Sequence, residues 1–77
     1  MNLSDTRAII TGGVSGLGFA VAQHIVAYGG KVALFDINSL KAAEAITTLG
    51  AANAIYFSTD VSDETQVAEN TAKAAEF

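Results

Sequence analysis

The 77-residue sequence contains no cysteine, no proline and few positive charges. The absence of cysteine argues against a small secreted domain that depends on disulfide bonds. The net charge is −4, and the basic residues Arg7, Lys31, Lys41 and Lys73 are scattered, which disfavours binding to a phosphate backbone. No apolar run is long enough to cross a bilayer. We therefore expect a cytoplasmic protein with neither nucleic acid nor membrane as a partner.

Short apolar runs alternate with stretches of helical periodicity along the whole chain. Strands are predicted at 7–11, 31–35 and 54–57, and helices at 16–28, from Asn38 or Ser39 to Leu49, and from a Ser62 cap onward. This order predicts the α/β class, as the N-terminal half of a Rossmann-type, doubly wound parallel sheet with three strands and three helices. Sheets of this kind usually have more strands, so we expect residues 1–77 to be the first part of a longer domain.

The periodicity also groups residues on one face of each helix, and in the third helix this face is expected to lie against the sheet. The grouped residues are Leu17, Ala20, Val21, Ile25 and Val26 in the first helix, Leu40, Ala43, Ile46 and Leu49 in the second, and Val67, Thr71 and Ala75 in the third. Each set follows spacings of mostly three and four residues.

A glycine-rich turn lies between the first predicted strand and the first helix. Its sequence is Thr11-Gly12-Gly13-Val14-Ser15-Gly16-Leu17-Gly18. Gly12 allows a tight turn, Gly16 allows backbone to approach a pyrophosphate, and Gly18 allows the helix to pack closely on the sheet. The free N–H groups of the helix then face the anion. A P-loop is excluded because no Gly-Lys-Ser/Thr follows. The alternative to a dinucleotide site is a glycine-rich turn that binds no ligand.

Asp36 follows the second predicted strand, 18 positions after Gly18. An acidic residue at about this spacing accepts hydrogen bonds from the adenosine ribose in dinucleotide-binding folds. It would repel a 2′-phosphate, and Ile37 and Asn38 supply no compensating positive charge. The sequence therefore favours NAD over NADP, and the alternative is that Asp36 only ends the strand as a turn residue.

The glycine turn resembles the TGxxxGxG cofactor motif of the short-chain dehydrogenase/reductase family. The resemblance spans the chain, because Asp36 is similar to the acidic residue of NAD-specific members and Asp60-Val61 to an Asp-Val pair after the third strand. It implies that Asp60 and Val61 contact the adenine, with Ile37 as an apolar neighbour. The basic residue that NADP-dependent members often carry before the second motif glycine is absent, since Ser15 stands there. Gly12, Ser15, Gly16, Leu17, Gly18, Asp36, Ile37, Asp60 and Val61 are thus the predicted cofactor-binding residues.

The resemblance implies an NAD-dependent oxidoreductase that transfers hydride between a secondary alcohol or ketone and nicotinamide, within an NAD(P)-binding Rossmann domain. Within the family, the motif is similar to that of the type 2 3-hydroxyacyl-CoA dehydrogenases, although the substrate stays open because its pocket comes from later in the chain. The family's Tyr-x-x-x-Lys pair is absent, since neither Tyr28 nor Tyr56 has a lysine four positions later. We therefore predict that this segment alone is inactive. The resemblance also implies a homotetramer.

Two other classes of function are kept open. One is a non-catalytic dinucleotide-binding module or sensor. The other is a methyltransferase-like fold that uses S-adenosylmethionine, although the Asp60-Val61 pair favours a dehydrogenase. The single histidine, His24, is assigned no role, and the acidic residues of the third helix do not form a compact set of metal ligands.

Overall fold

The computed structural model describes residues 6–12, 14 and 16–77. The elements are β1 (Arg7–Thr11), α1 (Gly16–Ala27), β2 (Lys31–Asp36), α2 (Ser39–Leu49), β3 (Ala54–Ser58) and α3 (Glu64–Ala74). All six predicted elements are confirmed in type and order.

The three strands form one parallel sheet in the order β1-β2-β3. Ile10 pairs with Leu34, and Leu34 pairs with Tyr56. The carboxyl ends of all three strands therefore meet at one edge, where open parallel sheets place their ligands.

The main core lies between α1, α2 and one face of the sheet. The strands contribute Ile10, Val32, Leu34 and Ala54, and the helices contribute Ala22, Ile25, Ala42, Ala45 and Leu49, all buried. Most of the helical contacts are made by alanines. Small side chains let the helices approach the strands closely while they still exclude water.

The opposite face of the sheet is covered by α3 and the residues after it. Ala33 and Phe35 point to this face and are buried. The ring of Phe57 packs edge-on against Phe35, with centroids 5.8 Å apart, and the Lys31 ammonium lies 5.2 Å from the Phe77 ring centroid. Helices on both faces of a parallel sheet define a Rossmann-type fragment, as predicted.

The structure corrects parts of the predicted helix faces. In α2, Leu40 is 86% exposed and Ala43 is exposed, whereas Ala42, Ala45 and Leu49 are buried. The inward spacing of three and four residues therefore starts at Ala42. The prediction was wrong for Leu40 and Ala43, because the apolar residues of this segment also fit the neighbouring row of Ala42 and Ala45.

The predicted faces of the other two helices are also partly wrong, for a different reason in each. In α1, Ala22 and Ile25 are buried, while Leu17, Ala20 and Val21 are exposed. This helix carries apolar residues on most of its surface, so its periodicity does not specify one face. In α3 the buried residue is Asn70, and Thr71 and Ala75 are exposed. A polar residue faces the sheet there because it has hydrogen-bond partners in β3 and the segment after it.

Two further local predictions change. A strand that reads as a continuous apolar run is expected to be buried on both faces, but Ile9 is 44% exposed on β1, which pairs only with β2 within the described residues. The N-cap of α3 is Asp63 rather than Ser62, since the Asp63 carboxylate accepts from the N–H groups of Thr65 and Gln66. None of the helices in the described part of the chain has the length and apolar character that a membrane span requires.

Candidate functional site

The candidate site lies where the carboxyl ends of the three strands meet. The N–H of Gly12 donates to the carbonyl of Phe35 at 2.8 Å, and the N–H of Thr59 donates to the carbonyl of Asp36 at 3.0 Å. These bonds extend the parallel ladder past the strand ends. They bring three predicted site segments side by side: the glycine turn, the turn after β2, and the turn that contains Asp60 and Val61.

The glycine turn has the backbone geometry expected of a close approach to a ligand. Gly12 has a φ of 65° and Gly16 has a φ of 59°. Residues with a side chain rarely adopt this region, and a Cβ at either position would meet no atom of the described residues within 4 Å. The turn therefore leaves open space beside its backbone. Of the other predicted residues here, Ser15 lies outside the described residues.

Gly18 packs the start of α1 against the end of β1. A Cβ at this position would lie 2.5 Å from the carbonyl oxygen of Gly12 and 3.2 Å from that of Thr11. The predicted reason for a glycine here, close packing of helix on strand, is confirmed.

Two apolar residues of the turn behave differently. Val14 is 6% exposed and belongs to the main core, so it anchors the turn to the body of the protein. Leu17 is 82% exposed in the first turn of α1. This first turn contains no acidic residue. Its free N–H groups and the positive end of the helix dipole thus favour an anion over the glycine turn.

Asp36 ends β2 and is fixed through both its backbone and its side chain. Its carbonyl accepts from the N–H of Thr59 and, at 2.7 Å, from the hydroxyl of Tyr56. One carboxylate oxygen accepts from the N–H of Asn38 at 3.0 Å. Its other carboxylate oxygen has no donor among residues 6–12, 14 and 16–77 and is free to accept a hydrogen bond from a ligand.

Asp60 lies in the turn after β3. Its carboxylate accepts from the hydroxyl of Ser62 at 2.6 Å and from the Ser62 N–H at 2.9 Å. These two bonds, the hydroxyl first, lower the pKa of Asp60 below its ordinary value, against a small opposing effect of burial. Asp60 is therefore ionised at neutral pH.

Ile37 and Val61, the predicted apolar contacts of adenine, are 72% and 55% exposed. Ile37 follows Asp36 at the end of β2, and Val61 follows Asp60 in the turn after β3, so two exposed apolar side chains lie at the same edge of the sheet. Exposed apolar side chains beside a strand edge are suited to cover the faces of a planar aromatic ring.

Side chains outside the predicted set support the turn after β3. The amide oxygen of Gln66 accepts from the Asp60 N–H at 2.8 Å, and its amide nitrogen donates to the Asp63 carboxylate at 3.2 Å. Asn70 donates to the hydroxyl of Thr59 at 2.8 Å. Sequence reasoning missed these residues, although Asp63-x-x-Gln66 has capping-box spacing and could have indicated Gln66.

A glycine turn between the first strand and helix, with an acidic residue at the end of the second strand, is the arrangement of the Rossmann-type α/β class. The chain matches the family model described as short chain dehydrogenase over residues 6–77. It therefore belongs to the short-chain dehydrogenase family.

Relatives within the family are dehydrogenases by name. Over 66 residues the chain is 41% identical to a 2,5-dichloro-2,5-cyclohexadiene-1,4-diol dehydrogenase of Sphingobium indicum, covering 86% of this chain and 26% of the relative. It is 46% identical over 61 residues to a 2-dehydro-3-deoxy-L-rhamnonate dehydrogenase (NAD(+)) of a Sphingomonas species, covering 79% and 24% of the two chains. The chain thus spans about a quarter of the length of these relatives.

Solved structures of the family superpose closely. A short-chain dehydrogenase/reductase of Burkholderia phymatum, in complex with NAD, gives a TM-score of 0.91 at 35% identity, covering 99% of this chain and 28% of that one. A short-chain dehydrogenase of Bacillus anthracis gives a TM-score of 0.90 at 22% identity, covering 99% and 32%. The second likeness supports the fold alone. NAD, the predicted cofactor, is named for both the Burkholderia and the Sphingomonas proteins.

Proposed function

We propose that this chain binds NAD as the N-terminal part of the cofactor domain of an oxidoreductase. The intact enzyme transfers hydride between a secondary alcohol or ketone and nicotinamide. Residues 1–77 supply the cofactor-binding half of the Rossmann domain, which agrees with the quarter of the relatives' length that the chain spans. The proposal is supported by family membership and by NAD in the Burkholderia relative.

The observation that carries the cofactor assignment is the position of Asp36. It lies at the end of β2, beside the glycine turn, with one carboxylate oxygen that receives no hydrogen bond from the described residues. A ribose diol can donate to that oxygen, whereas a 2′-phosphate would place like charges together. The site therefore favours NAD over NADP.

Each predicted residue is assigned to one part of the dinucleotide. The pyrophosphate is bound by the glycine turn, through Gly12, Ser15, Gly16, Leu17 and Gly18. The ribose is bound by Asp36, and the adenine by Ile37, Asp60 and Val61. The open space at Gly12 and Gly16 fits a bulky anion, and the absence of an acidic residue in the first turn of α1 fits its charge. The ionised carboxylate of Asp60 fits an amino-group donor.

The nicotinamide supplies the hydride chemistry when NAD is bound. The residues of this chain bind and orient the cofactor at the sheet edge. The family's Tyr-x-x-x-Lys pair does not occur in the sequence, so we propose that residues 1–77 alone do not catalyse hydride transfer.

Substrate, assembly and location belong to the same proposal. The similarity of the glycine motif to that of the type 2 3-hydroxyacyl-CoA dehydrogenases suggests a 3-hydroxyacyl-CoA as one substrate to test, while the names of the two relatives point to a cyclic diol and a sugar acid as substrates of those proteins. These three alcohols form the first substrate panel.

We further propose that the intact protein is a cytoplasmic homotetramer. Sedimentation of the intact protein measures the number of subunits directly.

The cofactor assignment is tested by calorimetric titration of the intact protein with NAD, NADP and S-adenosylmethionine. Wild type is expected to bind NAD most tightly. Asp36→Asn keeps an oxygen for the Asn38 N–H but removes the charge, so NADP should gain affinity by roughly tenfold, or about 1.4 kcal/mol. Glu69→Gln is the control, because it removes a carboxylate charge from an exposed position on α3.

The outcomes separate the alternatives. An unchanged cofactor preference in Asp36→Asn would remove Asp36 from the ribose site. Binding of S-adenosylmethionine in place of NAD would favour the methyltransferase-like class. NAD binding with no reduction of cofactor by any alcohol in the panel would favour a dinucleotide sensor.

A further inference from the structure

We infer that Tyr56 is a positioning residue for Asp36 and that its hydroxyl sharpens the preference of the site for NAD over NADP. This inference rests on the proposed function. Tyr56 has Asp60 and not a lysine four positions later, so this role is separate from that of the family's catalytic tyrosine.

The contact joins two neighbouring strands at the edge of the site. The Tyr56 hydroxyl donates to the Asp36 carbonyl at 2.7 Å across 20 positions of sequence. The Tyr56 ring is half-buried and packs against the main core below α1 and α2. Because the ring is fixed by packing, the hydroxyl is a rigid donor rather than a mobile surface group.

The bond acts on the backbone that carries the carboxylate. The Asp36 carbonyl belongs to the peptide group that leads into Ile37, so its direction sets the path of the turn after β2. The same turn returns the Asn38 N–H to one carboxylate oxygen of Asp36 at 3.0 Å. Tyr56 therefore constrains the plane of the peptide group between Asp36 and Ile37. The turn after β2 then constrains the Asp36 carboxylate, including the oxygen that does not bind the Asn38 N–H.

The two cofactors depend differently on this constraint. A hydrogen bond from a ribose hydroxyl to Asp36 requires a narrow range of distance and angle. Repulsion between the carboxylate and a 2′-phosphate acts over longer distances and depends little on orientation. A looser turn should thus weaken NAD binding, whereas the electrostatic repulsion of NADP should stay nearly the same. The affinity for NAD relative to that for NADP should therefore fall.

The test is Tyr56→Phe in the intact protein, with Tyr28→Phe as the control. Phe keeps the packed ring, and the Asp36 carbonyl keeps its bond from the Thr59 N–H, so the variant is expected to fold. Tyr28 is 60% exposed directly after the end of α1, and its ring contacts that of His24. Calorimetry should show that Tyr56→Phe raises the Kd for NAD about threefold to tenfold, the size expected when the hydrogen bond between the ribose and Asp36 is lost. The change in the Kd for NADP should be smaller.

A second readout does not require ligand. Amide hydrogen exchange at Asn38, whose N–H donates to the Asp36 carboxylate, should be faster in Tyr56→Phe than in wild type or Tyr28→Phe, because the turn opens more often. Replacing Tyr56 with p-aminophenylalanine restores a donor at the same place. It should restore both the slow exchange and the affinity ratio, which a purely steric role of the ring would not predict.

The failure of this inference differs from the failure of the proposed function. If wild type binds no dinucleotide, the proposed function is wrong and the role of Tyr56 falls with it. If wild type binds NAD and Tyr56→Phe keeps the same ratio of NAD to NADP affinity, only the role of Tyr56 is overturned. A p-aminophenylalanine variant that behaves like Phe would also overturn it.

Discussion

A Cβ on Gly18 would lie 2.5 Å from the carbonyl oxygen of Gly12, closer than two such atoms can approach. The nearest atoms are backbone and cannot rotate away. The first turn of α1 and the end of β1 are therefore in contact only because position 18 carries no side chain. This contact fixes where the free N–H groups of α1 stand relative to the glycine turn.

Gly18→Ala should consequently move α1 away from β1. We expect a loss of about 1–3 kcal/mol in the free energy of unfolding, the usual cost of overpacking. NAD affinity should fall as well, because the helix N-terminus shifts. Denaturant unfolding and calorimetry of the intact protein measure both. Ala20→Ser, which adds an atom at an exposed position of the same helix, should change neither; an unaltered stability in Gly18→Ala would contradict the close contact.

Gly16 makes a different prediction, because its surroundings are open. Gly16→Ala should cost roughly 1–2 kcal/mol through the positive φ alone, and its methyl group would also enter the space proposed for the pyrophosphate. Gly29→Ala is the matched control, since Gly29 has a φ of 89° after the end of α1. Both variants should lose similar stability in denaturant unfolding.

Only Gly16→Ala should also lose NAD affinity in calorimetry. Equal NAD affinity in the two variants would show that the space beside Gly16 is not used by the cofactor. The comparison separates backbone strain from occupation of the site.

The fold and the glycine turn were predictable because their signals are local. The turn from Gly12 to Gly18 and the 18-residue spacing to Asp36 can be found without knowing which elements touch. The strand runs are similarly local, because a strand in a parallel sheet is a short apolar segment bounded by turns. Family membership and the Rossmann-type sheet follow from these features.

The helix faces and the supporting side chains were not predictable in the same way. Ala42 and Ala45 form the inward face of α2, yet Leu40 is the larger apolar residue and is almost fully exposed. Hydrophobicity alone cannot rank a well-packed alanine above an exposed leucine. The bonds from Tyr56 to Asp36 and from Asn70 to Thr59 join segments 20 and 11 positions apart, so they appear only once the strands are paired.

Ser62 controls the ionisation of Asp60, and this can be measured directly. The two bonds from Ser62 lower the pKa of the Asp60 carboxyl. Ser62→Ala removes the hydroxyl, which is the larger of the two effects, so the pKa should rise towards the ordinary value of an aspartate. Carboxyl-carbon NMR titration of the intact protein measures it, and Ser39→Ala, at the start of α2, should leave it unchanged.

The sign of the effect on stability follows from the same shift. The pKa of Asp60 is lower in the folded state than in the unfolded chain, so these bonds stabilise the fold above the unfolded pKa. The contribution is lost as the pH falls through the folded value. Ser62→Ala should therefore reduce stability at neutral pH and differ less from wild type in acid; a constant difference across this range would contradict the assignment.

Asn70 is the buried polar residue by which α3 meets the end of β3. Its side-chain amide donates to the Thr59 hydroxyl at 2.8 Å and approaches the Ser58 carbonyl at 3.4 Å, while Thr59 is only 1% exposed. Asn70→Ala leaves the Thr59 oxygen with no donor from α3, and burial prevents water from replacing it easily. We expect a loss of about 1–3 kcal/mol in the free energy of unfolding.

The same substitution should reach the candidate site, because Thr59 directly precedes Asp60. Amide exchange at Asp60 and Val61 should be faster in Asn70→Ala, and the affinity for NAD should fall modestly through the adenine end. Glu69→Ala, an exposed neighbour on α3, is the control and should be close to wild type in all three measurements. If Asn70→Ala lost stability while Asp60 and Val61 exchanged as in wild type, Asn70 would attach α3 to the sheet without positioning the site.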